Sequence, residues 1–207
     1  MELTWLEKTL MHTSIRAWFQ RRFEARRVLS DVRLGKDAVC LEVGCGNGVG
    51  ALLIGQFLSP ARIVAIDVDQ DSVERARRYA ASPPGWARGI TTGGIEFACE
   101  DAAAMSFAEG TFDAAFLFGV LHHIVDWRGA IREVGRTLKP GGVFSFEEVL
   151  MMRSIPWFSR RFGHVPFGAD DLREALTSAG FDIESFKLMR LLPGCFVRAV
   201  KKSAATE

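Results

Sequence analysis

The sequence predicts one α/β domain: a mostly parallel sheet with helices on both faces and an antiparallel hairpin at its C-terminal end. Three observations predict it. From residue 38 onward, short apolar runs alternate with segments of helical periodicity, and that alternation builds parallel sheets covered on both sides. A glycine-rich loop follows the first apolar run. The last two apolar runs are joined only by Leu191-Leu192-Pro193-Gly194 and flanking residues, too little chain for a crossover, so they pair antiparallel.

Taken in order, residues 3–33 read as helix, with Met11, Ile15, Trp18, Phe19 and Phe23 at three- and four-residue spacing and arginines between them. Residues 38–43 form a first strand. Residues 49–58 form a helix that stops at Ser59-Pro60. A second strand over 62–67 precedes a charged helix over 71–81, and Ser82-Pro83-Pro84-Gly85 and Thr91-Thr92-Gly93-Gly94 mark turns. Strands three and four occupy 95–99 and 112–118. Residues 127–138 are helical, with Ile131, Val134 and Leu138 on one side. Lys139-Pro140-Gly141-Gly142 turns into a fifth strand over 143–149. A helix over 170–179 ends at Gly180, and strands over 181–187 and 195–201 form the hairpin.

Bulk properties narrow the function. A chain of 207 residues holds one domain with a sizeable core, divided here into an N-terminal helical cap (1–36) and a main domain (37–207) with an insert at about 150–168. A net charge of +1 argues against a dedicated nucleic-acid binder. No eighteen apolar residues run together and no signal peptide is legible, so a cytoplasmic protein is expected. The four cysteines form no C-x-x-C pair and no metal spacing, so no metal is expected, and Cys40 and Cys99 read as small core side chains.

Open parallel sheets bind ligands beyond the carboxyl ends of their strands, where strand order reverses. The first strand here runs into Gly44-Cys45-Gly46-Asn47-Gly48. Glycines let the backbone turn tightly and approach a ligand with no Cβ in the way, and the next helix offers unpaired N–H groups. Gly46-x-Gly48-x-x-Ala51 also fits a dinucleotide fingerprint. Asp67, at the end of the second strand, suits a ribose and serves either cofactor. Glu42 discriminates, because its charge repels a pyrophosphate and attracts the sulfonium and ammonium of S-adenosylmethionine (SAM).

These residues resemble the class I SAM-dependent methyltransferases, from about residue 38 to residue 200. The resemblance implies a Rossmann-like seven-stranded sheet whose antiparallel strand comes last. It implies that Glu42-Val43-Gly44-Cys45-Gly46-Asn47-Gly48 holds the methionine part of SAM, with S-adenosylhomocysteine as product. Asp67 with Val68 then takes the ribose hydroxyls and lines the adenine, and Asp101 with Ala102 meets the adenine edge. The segment from Phe112-Asp113 through Phe118-Gly119 to Leu121-His122-His123-Ile124, then Leu138-Lys139-Pro140-Gly141-Gly142, completes the pattern. Within the family the lean is towards the small-molecule branch that includes ubiquinone/menaquinone and sterol C-methyltransferases.

Methyl transfer needs alignment above all, and a base only where the acceptor carries a proton. His122 and His123 are candidates for that base or for holding the acceptor; orienting the loop and capping the next helix is the alternative. Strand alternation sends one of Glu147 and Glu148 towards the site and the other away, to bind a cationic acceptor or to make a structural hydrogen bond, and Glu147 is the catalytic candidate. Residues 153–167, rich in Trp, Phe and Arg, suit a lipophilic or aromatic acceptor or serve as a lid. Trp18, Phe19 and Phe23 beside Arg21, Arg22, Arg26 and Arg27 suit peripheral membrane contact or a cap over the cofactor cleft. A nucleic-acid partner is not expected, since Phe118-Gly119-Val120-Leu121 stands where amino-methylating nucleic-acid enzymes carry an Asn/Asp-Pro-Pro-aromatic motif. A SAM-binding protein without catalysis and a nicotinamide-dependent oxidoreductase are the alternative functions.

Overall fold

A computed structural model describes residue 18 and residues 20–90, 94–150, 165–190 and 193–203. Thus Met11, Ile15, Phe19 and most of the aromatic insert lie outside the described residues.

Seven strands form one sheet: β1 (Val39–Val43), β2 (Arg62–Asp67), β3 (Ile95–Cys99), β4 (Phe112–Phe118), β5 (Leu138–Val149), β6 (Phe181–Leu188) and β7 (Gly194–Lys201). Their order is β3-β2-β1-β4-β5-β7-β6. β7 runs antiparallel to both neighbours and the other pairings are parallel. Strand order reverses between β1 and β4, so the carboxyl ends of those two strands face the crevice where such sheets take ligands.

Helices α1 (Ala25–Val28), α2 (Val49–Leu58) and α3 (Gln70–Ala81) lie towards one face, and α4 (Trp127–Thr137) and α5 (Ala169–Ser178) towards the other. Cys40, Ala65, Ala114 and Phe116 pack with Val28, Leu52, Ile54 and Val73 on the first side. Leu41, Ile66, Leu117, Phe144 and Phe146 pack with Ile131, Val134, Leu172 and Leu176 on the second. This two-sided burial explains why β1, β2 and β4 read as nearly unbroken apolar runs. Asp126 caps α4 by accepting from Gly129 N–H at 2.8 Å, so the neighbouring histidines do not serve as that cap.

The N-terminal helix ends at Val28 and not at residue 33 as its periodicity predicts; Asp31 adopts φ 62°, a left-handed turn that diverts the chain towards β1. Ser145 Oγ on β5 donates to the Val28 carbonyl at 2.6 Å and fastens this segment to the sheet.

β5 starts five residues earlier than expected. Leu138 already pairs with Phe112, and the register slips by the Lys139-Pro140-Gly141-Gly142 loop before Val143 meets Ala114. Across that slip Lys139 Nζ donates to Asp113 Oδ1 at 2.7 Å, and Val39 N–H donates to Oδ2 at 2.8 Å. The Phe112-Asp113 and Lys139-Pro140-Gly141-Gly142 segments therefore clamp one another at the amino edge of the sheet, the edge opposite the ligand crevice.

Candidate cofactor and acceptor site

The loop after β1 is held from below and open above. Gly44 and Cys45 N–H both donate to the Ile66 carbonyl at 2.8 Å. Gly44 sits at φ +75°, and a Cβ there would lie 2.6 Å from the Val120 methyls, so the position excludes any side chain. Gly46, at φ +52°, has nothing within 4 Å of where a Cβ would be, which leaves its upper face open. Asn47 is half-buried beside it. Gly48 caps α2 at φ +85° and approaches Ala76 of α3, 3.1 Å from a Cβ position. Cys45 turns its side chain down into the core, and burial raises its thiol pKa; only its backbone remains for a ligand.

Asp67 ties the loop to the sheet. Its Oδ2 accepts from Gly46 N–H at 2.9 Å and its Oδ1 from Asp69 N–H at 3.0 Å. Each carboxylate oxygen keeps a second lone pair, so the group still has acceptor capacity for ribose hydroxyls. Burial raises its pKa, and the two backbone donors hold it down. Next in the chain, Val68 is 73% exposed, an apolar surface at the lip of the crevice. The Asp67 carbonyl accepts from Glu100 N–H at 3.1 Å, which brings the loop after β3 alongside. There Asp101 is exposed, with Oδ1 accepting from Ala103 N–H at 2.8 Å, and Ala102 is buried beneath.

Glu42 lies beneath the loop. It is buried under the first turn of α2, where Ala51 N–H is its backbone donor and a Cβ on Gly50 would collide with Oε1. Oε2 has no hydrogen-bond partner. Burial first, and the nearby Asp67 charge second, push its pKa well above the usual carboxylate range.

On the acceptor side, Phe118 is buried at the end of β4, and Gly119, at φ 62°, donates to the Glu147 carbonyl at 2.9 Å. Leu121–His123 form a single 3₁₀ turn. His122 is buried and its Nδ1 meets Glu148 Oε1 at 2.5 Å; His123 is half-buried, its ring 4.0 Å from that of His122. Glu147 and Glu148 are both buried. Alternation carries Glu147 to the α1–α2 face with Ser145, and Glu148 to the α4–α5 face beside the histidine turn. The exit of the insert is anchored here too, since Val165 N–H donates to the His122 carbonyl at 2.8 Å.

The structure thus gathers Gly44, Cys45, Gly46, Asn47, Gly48, Asp67, Val68, Asp101 and Ala102 over β1 to β3, and His122 and His123 over β4 and β5. Two features escape a sequence reading. Cys99 is exposed and donates to the Val68 carbonyl at 3.5 Å, so it is not a core thiol; its place as the last residue of β3 was the available signal. The Glu148–His122 contact joins residues 26 apart and has no local signature.

The Methyltransferase domain family matches residues 41–146, the stretch from β1 through most of β5. The chain belongs to the class I SAM-dependent methyltransferases. This methyltransferase domain is 33% identical over 122 residues to the sterol 24-C-methyltransferase erg-4 of Neurospora crassa, covering 59% of the chain and 30% of that protein. It is 29% identical over 164 residues to an O-methyltransferase of Pyrenophora dematioidea, covering 75% of the chain and 58% of that protein. A fatty-acid O-methyltransferase of Mycolicibacterium smegmatis is 29% identical over 126 residues, covering 61% and 42%. The chain therefore spans less than two thirds of each of these relatives. Among solved structures, the geranyl diphosphate C-methyltransferase of Streptomyces coelicolor, in complex with S-adenosyl-L-homocysteine, superposes with TM-score 0.74 at 11% identity, covering 88% of this chain and 75% of that one. The [4+2]-cyclase SpnF superposes with TM-score 0.71 at 23% identity, covering 89% and 80%. At such identities the likeness is one of fold, so the chemistry has to be argued from the site.

The cofactor half fits SAM. The glycine loop leaves backbone room above Gly46, Asp67 keeps acceptor capacity, and Val68 offers an apolar lip to adenine. The orphaned Glu42 Oε2 lies beneath a loop that would hold a cation. No helix among the described residues is long and apolar enough to cross a membrane.

Proposed function

We propose that this domain transfers a methyl group from SAM to a small lipophilic acceptor. SAM supplies a methyl on a positively charged sulfur, which leaves as a neutral thioether. The chain's own part is positional: the loop and Asp67 hold the nucleoside end, and the turn after β4 faces the acceptor. The observation that carries the reading is the clasp of Gly46 by Asp67 beside the exposed Val68, a half-satisfied carboxylate and an apolar lip placed together for a nucleoside.

The acceptor class rests on two supports. Residues 153–167 contain Trp157, Phe158, Phe162 and Phe167 with Arg160 and Arg161, a composition suited to an apolar molecule with an anionic end. The relatives named for sterol and fatty-acid methylation act on lipophilic molecules. Residues 1–36 are taken as a cap and 150–168 as the acceptor insert, with exposed Trp18, Phe23, Arg22 and Arg26 favouring peripheral contact with a membrane from the cytoplasmic side. The net charge of +1 favours a small molecule over nucleic acid.

Titration calorimetry with SAM, S-adenosylhomocysteine and NAD tests the cofactor; binding of NAD with no response to SAM would overturn the reading. Incubation with methyl-labelled SAM and a total lipid extract tests the transfer, with label expected in the organic phase.

A further inference from the structure

β6 (Phe181–Leu188) is the outermost of the described strands on its side of the sheet, with β7 as its hydrogen-bonded neighbour. Two hydrogen bonds fix which of its backbone groups face β7. Lys202 N–H donates to the Gly180 carbonyl at 3.0 Å, and Met189 N–H donates to the Gly194 carbonyl at 2.8 Å. Backbone groups alternate sides along an antiparallel strand. Stepping in from Gly180 therefore leaves Phe181 and Ile183 facing outward, and stepping back from Met189 leaves Leu188 and Phe186 facing outward. The bulge between Ile183 and Ser185 absorbs the extra residue that separates the two series. Phe181, Ile183 and Phe186 pack on the α4–α5 side of the core, and alternation sets Leu188, 61% exposed, on that face with them. Asp182 and Lys187 are exposed, and alternation places both on the opposite face.

We propose that β6 pairs antiparallel with β6 of a second copy, across a two-fold axis at the bulge, so that one sheet runs through both chains. The strand is complementary to itself in that register. Phe181 falls opposite Leu188 of the second copy, and Ile183 opposite Phe186, apolar against apolar, with outward amides placed to exchange hydrogen bonds. Asp182 falls opposite Lys187 in the intervening non-hydrogen-bonded position, where side chains approach most closely and opposite charges attract. Asp182 also meets Lys202 Nζ at 3.5 Å and its side chain stays mostly exposed. A bulge on an edge strand ordinarily spoils pairing with a regular strand, which lacks the extra residue. Here the axis passes between Glu184 and Ser185, so each bulge meets its own counterpart and the two chains keep the same length between paired residues. α5 lies over this part of the strand, with the Arg173 guanidinium 3.8 Å from the Phe186 ring centroid. The same axis therefore brings α5 of both copies to one face of the joined sheet.

Sedimentation equilibrium of the whole chain at micromolar concentrations should show a dimer; a monomer throughout overturns the proposal. K187D sets a carboxylate opposite Asp182 at both symmetric positions and should weaken dimerisation about 10-fold. D182K/K187D exchanges the two charges and should restore it. Circular dichroism checks that both variants fold. An unchanged dimer in K187D, or no recovery in the double variant, places the contact elsewhere and overturns the proposal. Disulfide trapping reads the register. D182C and K187C oxidised as a mixture should give a covalent dimer, because residues so paired have Cα atoms about 4.5 Å apart, within disulfide reach. Either variant oxidised alone should not, since like positions on the two copies lie about 16 Å apart along the strands. The wild type, whose Cys99 is exposed, serves as the blank. Cross-linking no greater in the mixture than in the single variants overturns the register.

Discussion

Gly46 N–H donates to Asp67 Oδ2 at 2.9 Å across 21 residues of sequence, so the protein's own hydrogen bonding clasps the cofactor loop to the end of the second strand. The loop's shape therefore belongs to the protein, and a nucleoside meets a preformed cradle. Preorganisation of this kind lowers the ordering cost of binding.

Replacing Asp67 with Asn keeps one acceptor oxygen and sets an amide NH₂ against the other backbone N–H. Charge-assisted hydrogen bonds contribute about 1.5–3 kcal/mol each. D67N is expected to weaken S-adenosylhomocysteine binding by about 10- to 100-fold, measured by calorimetry, with the fold retained by circular dichroism. An unchanged Kd would remove Asp67 from the site.

Gly50 is small because Glu42 folds beneath it. A methyl at Gly50 meets Glu42 Oε1 with Phe118 Cδ2 3.0 Å away, so the carboxylate has little room to retreat. Gly50→Ala should cost about 1–3 kcal/mol, the range for overpacked cores. Urea unfolding at constant m reads this loss.

The pH dependence has a definite sign. Burial raises Glu42 and Asp67 above their ordinary values and pushes Glu148 up to about 8. A carboxyl with a raised folded pKa binds protons more tightly in the folded state, so its burial is tolerated best when protonated. For Glu148 stability is fully present below pH 4.5 and declines as pH rises towards about 8. Thermal melts from pH 5 to 9 should show this fall, shallower in E148Q; an equal slope in both proteins would contradict it.

Glu42 also predicts linkage. A protonated Glu42 under a loop that receives a cation should release its proton when SAM binds, and SAM affinity should rise with pH. Calorimetry in two buffers of different ionisation enthalpy reads the released proton, which should vanish in E42Q and be smaller for the uncharged product.

Phe167 is buried against Trp127, ring centroids 4.4 Å apart, near the end of the insert. Phe167→Ala should destabilise the domain by about 3–5 kcal/mol, checked by chemical denaturation. It should also weaken the acceptor side more than SAM binding, because the stack anchors the exit of the insert to α4.

Much of this architecture is written locally. Alternating apolar runs and helical periodicity placed all seven strands within a few residues, because both kinds of pattern depend on near neighbours. The exceptions have physical causes. Leu138 joins β5 early because Phe112 and the Lys139–Asp113 bridge recruit it across the sheet. The first helix stops at Val28 because the chain must turn left-handed at Asp31 to reach β1. Cys99 lies at the rim and not in the core because β3 is an edge strand.

The class of fold, the glycine loop, and the acidic residues at the ends of the first three strands are legible along the chain, since each depends on backbone freedom or strand periodicity within a short window. What those residues touch depends on how the strands assemble. Asp67 holds Gly46, Glu42 lies under Gly50 with one oxygen unpartnered, and Glu148 meets His122, because strand order and register bring distant positions within a few ångströms. Hydrogen-bond geometry at that range selects partners in a way that no spacing along the chain encodes.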